Sequence, residues 1–103
     1  MKEPYDIRRD AIETFGEESQ IDMCIEECAE LINALEKYRR GRNDKADVIT
    51  EIADVQIMCE QMQLLFGDTE TDTERIRKLS RLARRLQNHK ENVAKQRMEG
   101  TQG

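Results

Sequence analysis

Two short acidic runs carry most of the chemical content of this sequence: EECAE, with Glu26, Glu27 and Glu30, and EIAD, with Glu51 and Asp54. Residues three apart share a helix face, so each run presents a carboxylate pair. At about 100° per residue, Glu27 and Glu30 lie roughly 60° and 120° to one side of Cys24. Glu51 and Asp54 stand at the same offsets from Val48. Cys24 and Val48 belong to apolar stripes, Ile21, Cys24, Cys28, Leu31, Leu35 and Val48, Ile52, Val55, Cys59, Met62, Phe66. The connection between the helices is short, 41–43, which makes them antiparallel neighbours related by a two-fold axis. Equal offsets then point the same way, and the pairs fall within roughly 4 to 5 Å of one level. Carboxylates about 6 Å apart repel by about 2 to 3 kcal/mol at an effective dielectric near 20, a cost that a hard divalent cation removes. An oxygen-only ligand set suits Mg2+, with Mn2+ as the alternative, and magnesium commonly binds substrate phosphates as well. Single ExxE spacings also occur on plain solvated helix faces; matched pairs on adjacent helices are what distinguish this chain.

The elements that position these residues are helices. Gly16, Gly41 and Gly67 each follow an amphipathic run, where helix C-termini place glycine. Four helices result: a short one from near Pro4 with Ile7, Ala11, Ile12 and Phe15 on one side, then Glu18 to Arg40, then Asp44 to Phe66. The fourth opens with Thr71 and Glu74 at capping-box spacing and carries Ile76, Leu79, Ala83 and Leu86 as its stripe. After Asn88 the pattern fades. The reading is a helical domain over 1–88 and a frayed or disordered tail over 89–103.

With 103 residues, 37% hydrophobic and 38% charged, the chain has room for one domain and little core material, so partner chains are expected to complete the core. The fold class is all-α, an antiparallel helical bundle completed by oligomerisation as a homodimer or homotetramer. Ile25 and Ile32 give the second helix a further apolar side for such a partner. A net charge of -5 and four aromatic residues argue against a nucleic-acid surface, and no segment has the length of a membrane span. The start MKEPYDIRRD lacks the apolar stretch of a secretory signal, so a cytoplasmic protein is expected. Cys24, Cys28 and Cys59 form no CxxC pair and read as small buried hydrophobes.

Other residues could assist the acids. Lys78, Arg81 and Arg85 adjoin on one flank of the basic fourth helix. Gln20, Met23 and Met58 lie on the carboxylate side and could line a pocket beside the acids, although methionines at helical spacing are more often plain core. Asp47 could reach a metal through water. Arg39, Arg40, Arg42 and Lys45 crowd the turn after the second helix, where charge compensation at the helix end explains them.

The motif EExxE followed by ExxD resembles the signature of the MazG-like all-α nucleoside triphosphate pyrophosphohydrolases, over about Gln20 to Leu86. The resemblance implies magnesium held by Glu27, Glu30, Glu51 and Asp54, with Glu26 auxiliary. It also implies Lys78 and Arg81 on the triphosphate, and hydrolysis to monophosphate and pyrophosphate. Glu27 or Glu30 would orient the attacking water, and Gln20 would lie on the substrate side. The alternative is a helical interaction or adaptor protein that keeps the bundle without the activity. A di-iron carboxylate bundle needs ExxH on two helices, and this chain has one histidine, His89, with Leu86 three residues before it.

Overall fold

The computed structural model describes residues 4–101, and the described residues form four helices and no strand. α1 spans Ile7–Phe15, α2 Glu17–Arg39, α3 Lys45–Phe66 and α4 Asp68–Thr101. Each boundary has a local cause. Asp6 caps α1, its carboxylate accepting from the Arg8 N–H at 3.0 Å, so the helix starts at Ile7, beyond the expected Pro4 region. Asp44 caps α3 in a capping box: Asp44 Oδ1 accepts from Asp47 N, and Asp47 Oδ2 accepts from Asp44 N, each at 3.2 Å. At the end of α2, Gly41 takes φ +70°, a left-handed conformation that favours glycine, and its N–H donates to Tyr38 O.

The chain divides into two compact units, one up to Asp68 and one from Thr69 onward. In the first, α2 packs along α3 and α1 packs on both. The pair is antiparallel: Gln20 near the start of α2 donates to Gln61 near the end of α3 at 2.6 Å. At the other end the Asn43 amide holds the turn by donating to Ala34 O at 3.1 Å. Arg8 bridges Asp6 and Asp68, and Gln63 donates to Asp68 Oδ1 at 2.9 Å, which ties α1 to the residues after α3.

Among the described residues, the buried ones are Gln20, Ala34, Met58 and Gln61, not the apolar stripes. Ile21, Cys24, Cys28, Leu31, Val48, Val55 and Met62 are half-buried, while Leu35, Ile52, Cys59 and Phe66 are exposed. The seam between α2 and α3 is therefore rotated from the stripes toward the acidic flanks. Ile25 and Ile32 are 63% and 60% exposed. No helix of the described residues is long and apolar enough to cross a membrane.

The second unit is one helix, continuous through the region where the apolar stripe fades. Thr71 and Glu74 already lie inside α4, so no capping box forms there, and Glu74 accepts from Arg77 Nε at 3.0 Å. Beyond Asn88 the segment is rich in residues of good helix propensity, and Gln87 donates to Glu91 one turn on at 2.9 Å. Local propensity carries the helix where the apolar pattern alone predicted fraying; residues 102 and 103 of the expected tail lie outside the described residues.

Replacing Asp44 with Ala removes a cap and the reciprocal bond to Asp47. An expected loss of about 0.5 to 2 kcal/mol, read from denaturant unfolding, should accompany unchanged helicity outside the first turn of α3.

Candidate functional site

The seam register follows from the two glutamines. Seven residues along α2 from Gln20 and seven back along α3 from Gln61 bring Glu27 opposite Asp54; three more bring Glu30 opposite Glu51. Seven residues are close to two helical turns, so each step stays on the seam face. The axial offset expected from counting back from the turn is absent in this register.

Glu27, Glu51 and Asp54 each place a carboxylate oxygen within 4.8 Å of the others, and all three are half-buried. Glu27 Oε2 and Glu51 Oε2 are buried without a hydrogen-bond partner. Burial pushes the Glu27 carboxyl above its ordinary range, with the charges of Glu30 and Asp54 adding to it. Glu51 is raised in the same way, by burial first, then by Glu30 and Asp54, with a smaller contribution from Asp47. Glu30 is exposed and outside the close trio, yet near enough to act on both. Three of the four expected ligands thus converge, and the fourth borders them. Glu26 is exposed and stands apart from the trio.

This donor set fits a hard divalent cation. It offers oxygen alone, and two of its buried oxygens lack any donor, a costly state that a cation relieves. The same carboxylates without a cation repel and are partly desolvated, which is what the raised pKa values express.

The other expected residues fall elsewhere. Gln20 is buried two turns from Glu27, its amide donating to Gln61. Met58 is buried beneath that pair, with Gln61 Nε2 3.9 Å from its sulfur, as core requires; Met23 is exposed. Asp47 serves the α3 cap and also faces Glu51 electrostatically. Lys78 and Arg81 are exposed on α4, in the second unit. The cysteines are less buried than their hydrophobic character predicts: Cys24 and Cys28 are half-buried and Cys59 is exposed. Burial and contact with the other two thiols push Cys24 up to about 11.

Two contributors escaped the sequence reading. Gln61 sets the register, and its signal was a polar residue at heptad spacing from Asp54 on the seam face. Toward the turn, a cleft of about 380 Å3 lined by Glu30, Glu51 and Asp47 also takes in Lys37 and Arg42.

No family model, curated protein or solved structure matches the chain.

In metal-free buffer at neutral pH, Glu51→Gln should melt higher than the wild type, because it removes a desolvated, repelled charge. Millimolar magnesium should raise the wild-type melting temperature and leave Glu51→Gln nearly unmoved. A carboxyl raised in the folded state favours folding when protonated. The metal-free wild type should therefore gain on the variant as pH falls through the raised value toward the ordinary carboxylate range. Thermal melts from pH 7 to pH 5, with and without magnesium, check all three; a wild-type curve indifferent to magnesium counts against a preformed site.

Proposed function

We propose that the chain hydrolyses a nucleoside or deoxynucleoside triphosphate to the monophosphate and pyrophosphate. Glu27, Glu30, Glu51 and Asp54 would hold Mg2+ or Mn2+. The observation that carries this reading is the carboxylate trio within 4.8 Å across two helices, at the positions of the EExxE and ExxD motifs that resemble the MazG-like enzymes. When bound, such a metal neutralises phosphate charge and lowers the pKa of a water. Glu27, Glu51 and Asp54 are held by the antiparallel pairing of α2 and α3, which would supply orientation. Glu27 or Glu30 would orient the attacking water and accept its proton; Glu30, exposed at the border of the trio, is the more open of the two. Lys78 and Arg81 would offset triphosphate charge, a role that rests on the resemblance alone.

We also infer that the working unit is a homodimer or homotetramer. Among the described residues, only Ala34 and Met58 are buried apolar side chains, and Ile25, Ile32, Ile49 and Ile57 are exposed on α2 and α3. Covering Ile25 and Ile32 with a second copy would contribute roughly 1.5 to 3 kcal/mol per side chain. The same exposed residues would suit a non-catalytic adaptor, but an adaptor has no use for unpaired carboxylate oxygens in its seam.

A screen of standard and modified triphosphates, read by pyrophosphate release, should find a substrate, and Asp54→Asn and Glu30→Gln should each lower its turnover by about 10²-fold or more with helical circular dichroism retained. Near wild-type rates in both variants would sink the assignment. Light scattering during size-exclusion chromatography should give a multiple of 12.1 kDa, reduced towards the single chain by Ile32→Asp; a compact, active monomer at micromolar concentration would refute the oligomer.

A further inference from the structure

Within the unit formed by α1 to α3, two cations share a cleft with the carboxylates. Lys37 lies in the last turn of α2 and Arg42 in the turn itself, and both line the 380 Å3 cleft that Glu30, Asp47 and Glu51 also line. Among the described residues, neither cation forms an ion pair or a side-chain hydrogen bond, although three carboxylates border the same space. Their backbone is nevertheless fixed. The Arg42 N–H donates to Lys37 O at 2.9 Å, Gly41 supplies the left-handed step between them, and the Asn43 amide fastens the turn to Ala34.

Compensation at the end of α2 accounts for a basic residue near this turn. It does not account for two exposed cations, neither of them paired, lining one cleft with Glu51, whose buried Oε2 lacks a partner. That layout suits a ligand that brings both charges at once, a divalent cation for the acids and an anion for the bases. A metal-bound polyphosphate has this chemistry. We propose that the cleft receives the pyrophosphate end of the triphosphate, with Lys37 and Arg42 on its terminal phosphates, an assignment that rests on the hydrolase reading above. In the reaction, the water oxygen bonds to the α phosphorus and the bond from that phosphorus to the bridging oxygen breaks. The electron pair leaves with pyrophosphate, and the water proton passes to a carboxylate and then to solvent. Lys37 and Arg42 offset the charge that arrives on the leaving group.

The test is calorimetry of the full chain with magnesium and inorganic pyrophosphate. Wild type should bind, and Lys37→Ala and Arg42→Ala should each weaken binding on the order of tenfold, the effect of losing one charge-assisted contact. Lys37→Arg should restore most of it. The double variant Arg39→Ala/Arg40→Ala removes two charges that line a different cleft with Glu36, so it should bind almost as wild type does. The magnesium-dependent rise in melting temperature should persist in all of them, which shows a folded protein and an intact acid site. No binding by wild type, unchanged binding in both single variants, or an equal loss in the Arg39/Arg40 control would each overturn the proposal. Triphosphate turnover is scored separately: pyrophosphate binding through Lys37 and Arg42 without hydrolysis of any triphosphate supports the cleft and removes the hydrolase.

Discussion

Carboxylates occupy the seam of a helix pair, and the rest of the first unit is arranged around that constraint. Two antiparallel helices usually join through apolar side chains, whose burial supplies the attraction. Here the face that α2 turns to α3 carries Glu27 and Glu30, the face that α3 returns carries Glu51 and Asp54, and the raised carboxyl groups of Glu27 and Glu51 show that the arrangement opposes itself without a cation. Other contacts must hold the helices together. Buried Gln20 and Gln61 do so at one end, the Asn43 turn at the other, and α1 covers both helices, anchored through Arg8 on Asp6 and Asp68.

The rotation of the seam explains the unusual distribution of apolar surface. Each helix has one contiguous apolar stripe, and with the acids inside, part of each stripe is left outside. Phe66, Ile52 and Leu35 are exposed for that reason, in addition to Ile25 and Ile32 on the second apolar side of α2. The placement of the acids and the exposure of Leu35, Ile52 and Phe66 are one fact seen from two sides. A chain that buried its stripes face to face would be better packed alone and would hold its carboxylates out in water, where their mutual orientation is loose.

Much of this was legible in the residues. Helix punctuation by Gly16, Gly41 and Gly67 gave the boundaries within one or two positions for α2 and α3, because a left-handed C-terminal residue is a local requirement. The matched offsets anticipated the convergence of Glu27, Glu51 and Asp54, since helical period and antiparallel pairing fix direction without knowledge of packing, but they also placed Glu30 among them, and it stands exposed at the border of the trio. The rotation of the seam was not legible. It depends on which side chains meet, and the Gln20–Gln61 hydrogen bond links residues 41 positions apart. The length of α4 beyond Asn88 was not legible from the apolar pattern, because backbone propensity and i,i+4 pairs such as Gln87 with Glu91 favour helix there.

The two fixed points of the seam bear on how such a sequence can change over time. Between Gln20 and Ala34 on α2, and between Asn43 and Gln61 on α3, every acid sits a set number of residues from an anchor. One inserted or deleted residue in either stretch turns everything beyond it by about 100° and carries a carboxylate out of the seam. Substitution at the exposed positions leaves that count untouched. Related chains are thus free to diverge widely in residue identity on the outer faces, whereas the lengths of these two intervals are fixed by helical geometry, so insertions belong in the turn or beyond Asp68.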